Sequence, residues 1–212
     1  MALFTSLPLL WTGSGDLGSE LQSDTPSHWA KAVLAQHGKI VPLDSLTGDG
    51  RNPLTGITRL VIAQPRPFSP QENVALDNWI RGGGQLLLLA DPAYTEDSPL
   101  AVGDLRRPQA TVMLSPILKR WGLELQFDDA QTLGETTREV MGLAVPVNLP
   151  GRFETRGQAG CKLWGDGLAV TCSIGRGRVI ALADAALLER DDPSGSRPRV
   201  FGALLDSAFI GR

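Results

Sequence analysis

The chain has 212 residues and a formal net charge of −3, with 42% hydrophobic and 20% charged side chains. So ordinary an apolar fraction at so small a net charge excludes intrinsic disorder. A chain of this length buries roughly 70% of its unfolded surface, so it needs neither a metal nor a disulfide to fold. The pI near 5.4 argues against nucleic acid as a partner, because phosphate binding wants a clustered positive excess. The length fits one domain over residues 1–212. The apolar N-terminus has no basic flank and is broken by Pro8. It reads as neither a signal peptide nor a span, and no later run approaches the ~20 apolar residues that a span needs. The expectation is a soluble chain, cytoplasmic by default and periplasmic if a leader or anchor has been removed.

Through the first half, apolar runs alternate with helical patterns. Leu3 to Trp11 reads as a strand. Asp24-Thr25-Pro26 reads as a helix start, a capping residue ahead of a proline at the first helical position. The helix then runs to His37 and buries Trp29, Val33 and Leu34, and Gly38 ends it. Ile40 to Leu43 and Arg59 to Ala63 are the next two strands. Ser69-Pro70-Gln71-Glu72 is a capping box, with hydroxyl to amide one way and carboxylate to amide the other. Ala75, Leu76, Trp79 and Ile80 share a face of the helix that follows, and Gly82-Gly83-Gly84 terminates it. Gln85 to Ala90, with four consecutive leucines, reads as a strand covered on both faces of a parallel sheet. This strand–helix alternation predicts an α/β fold with a doubly wound, mostly parallel sheet.

A helix over Thr111 to Trp121 and a strand over Leu123 to Phe127 follow. The periodicity then weakens, and residues 128–165 read as an irregular insertion of loops and short antiparallel strands. Leu168 to Cys172, the turn Gly175-Arg176-Gly177 and Arg178 to Ala183 read as a C-terminal β-hairpin whose second arm enters the core. Pro198 to Phe209 is the closing helix. Cys161 and Cys172 flank a turn at Gly165-Asp166-Gly167 that sets them opposite each other. Two readings stay open for the pair. One is two small buried hydrophobes, the preferred one. The other is a cross-strand disulfide in an oxidising compartment.

Several blocks together resemble a known group. They are Leu60-Val61-Ile62-Ala63-Gln64-Pro65, the capping box, Leu76-Asp77-Asn78-Trp79-Ile80-Arg81-Gly82-Gly83-Gly84, Leu87-Leu88-Leu89-Ala90-Asp91-Pro92, and Gly175 to Asp184. They are similar to the class I glutamine amidotransferase-like domain of uncharacterised ABC-transport auxiliary proteins, a group that includes gliding-motility auxiliary subunits. The resemblance implies a flavodoxin-like three-layer α/β/α fold and a protein partner among ABC transporter components. Active amidotransferases of this fold carry a cysteine on a strand-to-helix elbow and a downstream histidine with an acid. Here the strand ending at Ala90 leads into Asp91-Pro92, and the two histidines, His28 and His37, lie far upstream. The resemblance therefore implies a non-catalytic binding or assembly domain.

Other constellations are weaker. Gly13-Ser14-Gly15-Asp16-Leu17-Gly18 spells a dinucleotide fingerprint, with Asp44 where a ribose acid would stand. The next helix start, however, falls at Thr25, too late for its amides to meet a pyrophosphate. The cysteines and histidines lack zinc spacing, and neither a P-loop nor a serine-hydrolase elbow occurs. No cofactor or metal site is expected. The histidines read as surface or partly buried helix residues. The pairs Arg106-Arg107, Arg176 with Arg178, and Arg197 with Arg199 read as solvated loop residues. Trp29, Trp79 and Trp121 read as core anchors. Asp91 and Asp184 both follow a buried strand at the carboxyl edge of the sheet, where open α/β sheets bind ligands. Gln64 and Tyr94 join them in a candidate ligand cleft. There the carboxylates would hold a cation or divide acid and base roles in a hydrolase-type enzyme. The competing and preferred reading is that each aspartate caps the loop that follows it.

Overall fold

The computed structural model describes residues 1–10, 27–48, 50, 52–157, 160–192 and 194–209. Its elements run in chain order as β1 (Ala2–Thr5), α1 (Trp29–Gln36), β2 (Val41–Pro42), β3 (Arg59–Ala63), α2 (Pro70–Arg81), β4 (Gln85–Leu89), α3 (Ser115–Arg120) and β5 (Leu123–Gln126). There follow β6 (Thr136–Val140), β7 (Leu143–Val147), β8 (Arg152–Thr155), β9 (Cys161–Trp164), β10 (Ala169–Ile174), β11 (Gly177–Leu182) and α4 (Arg197–Ala208). Seven strands form one sheet in the order β2-β1-β3-β4-β11-β10-β9. The first five neighbours pair in parallel, and β10 and β9 close one side antiparallel. The sheet is mixed but mostly parallel, as the alternating pattern predicts.

The central strands are covered on both faces. Leu86, Leu87, Leu88 and Leu89 are at most 1% exposed, as are Leu60 to Ala63 and Val179 to Ala183. That is why these segments read as unbroken apolar runs rather than alternating ones. Helix α2 starts with the complete capping box between Ser69 and Glu72, and α1 packs against α4. Gly177 begins β11 where a Cβ would overlap the carbonyl oxygens of Ile80 and Gly84. Only glycine lets the hairpin press so closely on the end of α2.

Several local expectations are corrected. Strand β1 stops at Thr5, not Trp11, because the chain turns there. The Thr5 hydroxyl accepts from the amide of Leu7, and Pro8 has no amide to donate to a ladder. Trp11, the glycine motif 13–18 and the proposed cap at 24–26 lie outside the described residues. Helix α1 is capped by His28, whose Nδ1 accepts from the amide of Ala30. The weakly periodic stretch consists of short antiparallel strands: β6 pairs β7, and β8 returns to pair β5. The preferred reading of the cysteines does not hold. Cys161 and Cys172 are register partners on β9 and β10, their Cα atoms are 4.1 Å apart, and they form a disulfide. Trp121 is buried as expected, while Trp29 and Trp79 are only half-buried, because each turns its indole N–H to a carbonyl at the periphery.

Candidate functional site

Strands β3, β4 and β11 end level with one another, since Ala63 pairs with Leu89 and Leu89 with Leu182. The chain that leaves each of them carries Gln64, Asp91 and Asp184 respectively, so these three arrive at one carboxyl edge. All three are completely buried. Gln64 adopts a left-handed backbone, φ 43°, which a non-glycine residue holds only when its surroundings require it. Its side-chain amide supplies the reason. Oε1 accepts from the Asp91 amide at 3.0 Å, and Nε2 donates to the Asp91 carbonyl at 3.0 Å and to the Gln109 carbonyl at 2.7 Å. The side chain thus extends the β3–β4 ladder one step beyond the end of β3.

The two aspartates act in the same manner. Asp91 Oδ1 accepts from the Ala93 amide at 2.8 Å, and its Oδ2 accepts from the Ala185 amide at 3.0 Å. Asp184 Oδ1 accepts from the Ala186 amide at 2.7 Å, and its Oδ2 from the Asn148 amide at 3.0 Å. All four oxygens are therefore bonded to backbone N–H groups of the chain after β4, after β11 and after β7. Burial pushes the Asp91 carboxyl up to about 7 against the pull of its two amide bonds, and the Glu189 charge adds to the rise. Burial and the neighbouring Asp91 also hold Asp184 well above the usual carboxylate range.

Tyr94 belongs to an adjoining network. Its hydroxyl donates to Glu96 Oε2 at 2.6 Å, and Glu96 Oε1 accepts from the Arg190 amide at 2.7 Å. Burial and the Glu96 carboxylate raise its phenol well above the usual range. The Thr95 hydroxyl donates to Glu189, whose carboxyl is also raised by burial. Arg197 is 2% exposed, contrary to the solvated role expected of it. It pairs with Glu135 and Glu189 and donates to the carbonyls of Ala186 and Asp191. A guanidinium survives burial only with that much compensation. His28 is buried more fully than the surface or partly buried position expected of it: Nδ1 accepts, so Nε2 carries the proton and donates to the Leu188 carbonyl at 3.0 Å. Burial lowers its pKa, so the ring is neutral.

Sequence reasoning brings Gln64, Asp91 and Asp184 to one edge, and the structure places them there as buried ties between loops. The sequence does not show the network of Glu96, Glu135, Glu189 and Arg197, because the bonds that join its parts, Glu96 to the Arg190 amide, Thr95 to Glu189 and Arg197 to Glu135, span 62 or 94 residues. The sequence shows Glu72 only as half of a capping box. It also accepts from Arg66, Ser45 and the Leu46 amide. Burial would raise its carboxyl, but the Arg66 guanidinium and these donors outweigh that and hold it at about 2. Among the described residues no group of three or more His, Cys, Asp or Glu side chains could hold a metal ion. Two open clefts are lined by none of Gln64, Asp91, Tyr94 and Asp184. One of about 840 Å³ is lined by Phe127, Arg138, Arg152 and Asp166, and one of about 610 Å³ runs along the outer face of α2.

Among solved structures, the exo-β-1,4-mannosidase Op5Man5 from Opitutaceae bacterium strain TAV5 has a TM-score of 0.55 at 18% identity, covering 100% of this chain and 36% of its own. The GH42 β-galactosidase Gan42B from G. stearothermophilus has a TM-score of 0.53 at 8% identity, covering 97% and 29%. The cytoplasmic protein STM3548 from Salmonella typhimurium has a TM-score of 0.50 at 12% identity, covering 84% and 86%. At these identities the likeness shows the fold alone, and the chain spans only about a third of the two glycosidases. No curated protein matches the sequence. Among the described residues no helix is long and apolar enough to cross a membrane. The sequence matches the auxiliary family described as an ABC-type uncharacterized transport system over residues 15–141, more than half of its length, and the chain belongs to that family.

Proposed function

We propose that the chain is a non-catalytic, amidotransferase-like domain that serves as a binding or assembly subunit of an ABC-type transport system. Family membership supports the transport part. The carboxyl edge carries the non-catalytic part, because every oxygen of Asp91 and Asp184 is engaged by a backbone amide inside the protein. Each oxygen keeps a second lone pair, but both side chains are completely buried, so no substrate reaches it as it must reach a general base. The parallel order β2-β1-β3-β4-β11 supports a flavodoxin-like, three-layer arrangement, since that order is the doubly wound one. The two cysteines, tied to each other on β9 and β10, are remote in the fold from an elbow after β4. We read residues 1–212 as a single unit with the 128–165 segment inserted. The disulfide supports operation in an oxidising compartment.

The alternative, a hydrolase-type enzyme or small-ligand binder using Gln64, Asp91, Tyr94 and Asp184, draws on the raised pKa of the two aspartates. Burial accounts for that rise without a catalytic role. The test is co-expression with the ATPase and membrane subunits of an ABC-type transporter from the same organism. Stoichiometric co-purification is expected, with no glutaminase turnover. A reproducible glutaminase or hydrolase rate abolished by Asp91→Asn or Asp184→Asn would overturn the reading.

A further inference from the structure

Strand β9 is held to the seven-stranded sheet by little besides its backbone pairing. It is the last strand in the order, and among the described residues no strand pairs with its outer side. None of its side chains is buried: Cys161 and Trp164 are half-buried, and Lys162 and Leu163 are exposed. Its neighbour β10 differs. Ala169, Val170, Cys172 and Ile174 are buried, and β10 pairs with β11 along its whole length. Little apolar burial therefore fastens β9, so its opening is separable from that of the core.

The two ends of β9 are fastened differently. At the Trp164 end the hairpin turn is seated in the protein. The Gly167 carbonyl accepts from the Phe153 amide at 2.7 Å, and Gly165 lies so close to β6 that a Cβ would stand 2.9 Å from the Glu139 carbonyl oxygen. The Trp164 indole N–H donates to the Thr171 hydroxyl at 3.1 Å, with Lys162 Nζ 3.7 Å from the centre of the ring. At the Cys161 end the ladder is closed by the disulfide to Cys172 and by one hydrogen bond, from the Ser173 amide to the Gly160 carbonyl at 2.8 Å. The two cysteines are unequally reachable, since Cys172 is completely buried and Cys161 is not.

We infer that the disulfide is a redox-sensitive latch on the sheet edge. Once it is reduced, β9 peels from β10 starting at Cys161, hinged on the turn at 165–167, while the rest of the sheet stays folded. The reductant is a dithiol. Its thiolate attacks the more accessible Cys161 Sγ, and Cys172 Sγ leaves as a thiolate and takes up a proton. The second thiol of the reductant then displaces Cys161 as its own disulfide closes. Two electrons pass to the protein, which gains two thiols, and the dithiol is oxidised. Peeling uncovers the outer edge of β10, whose backbone groups the closed latch keeps paired with β9. The inference stands independently of the transport reading, since it uses no residue of the carboxyl edge.

The test is hydrogen exchange of the full chain read by mass spectrometry, oxidised and after dithiothreitol. Cys161→Ser with Cys172→Ser supplies a second form without the latch. Opening a crosslink over 11 residues speeds exchange of the core strands β4 and β11 by at most about 10²-fold, through the entropy returned to the unfolded chain. The peptide covering β9 is expected to gain at least about tenfold more than those strands, because it opens without them. Lysyl endopeptidase is expected to cut the reduced, folded chain after Lys162 and to spare that bond in the oxidised chain. A β9 peptide that falls short of this margin over β4 and β11, or a Lys162 bond cut at the same rate in both states, would overturn the inference.

Discussion

Replacing Asp91 by asparagine separates a structural tie from a catalytic acid. In the native chain both oxygens of Asp91 accept from amides, of Ala93 and of Ala185. Asparagine supplies one acceptor and one NH₂ group, so one buried amide is left facing a donor, at a cost of about 1–3 kcal/mol. The pH dependence carries a second signature. The folded carboxyl lies near 7 and the unfolded one near 3.8. Between those values the folded chain holds a proton that the unfolded chain has released. Raising the pH therefore favours unfolding, and the stabilisation present below 3.8 is gone above 7. Between pH 5 and pH 8 the Asp91 share of this loss is about 2–3 kcal/mol. The variant has no such share, and its Asp184 loses the neighbouring charge that raises it. Urea denaturation at pH 5 and pH 8 is expected to show Asp91→Asn less stable than the native chain by about 1–3 kcal/mol at the lower pH. At the higher pH the difference is expected to shrink to nothing or reverse. Native and variant stabilities that fall in parallel, or equal stabilities at pH 5, would refute the tie.

Glu72 sets the opposite limb: its folded carboxyl near 2 lies below the ordinary 4.5, so its stabilisation is present above 4.5 and disappears as the pH falls toward 2. Glu72→Gln, which puts an NH₂ group against Arg66 or the Leu46 amide, is expected to cost about 2–4 kcal/mol at neutral pH by urea denaturation, and Glu72→Gln with Arg66→Met less than the sum of the two single changes. Cys161→Ser with Cys172→Ser opens a crosslink that spans 11 residues. The double variant is expected to lower stability by roughly 2–3 kcal/mol and match the reduced native chain in thermal melts. Gly177→Ala places a methyl group against the carbonyls of Ile80 and Gly84, and soluble expression of this variant is expected to fall far below that of Gly142→Asn, where a Cβ has open space and asparagine tolerates the left-handed backbone.

What the sequence determines by itself is the local part. The parallel core strands, the capping box at Ser69, the glycine stop after Arg81 and the hairpin of β10 and β11 depend on neighbours in the chain, so periodicity and turn chemistry expose them. The same holds for the carboxyl edge as a place, because strand ends follow from strand identity, and Asp91 and Asp184 each follow one. What those aspartates do is a different matter. Asp91 reaches Ala185 across 94 residues, Arg197 reaches Glu135 across 62, and Gln64 leaves the β region to meet Asp91. The turn at Gly165-Asp166-Gly167 already sets Cys161 opposite Cys172, but only the close approach of β9 and β10, 4.1 Å between the Cα atoms, decides for the disulfide over two buried thiols. Hydrogen bonds of this kind arise when packed strands bring loop backbones together. A buried amide left without water must then take whichever carboxyl or carbonyl the fold delivers.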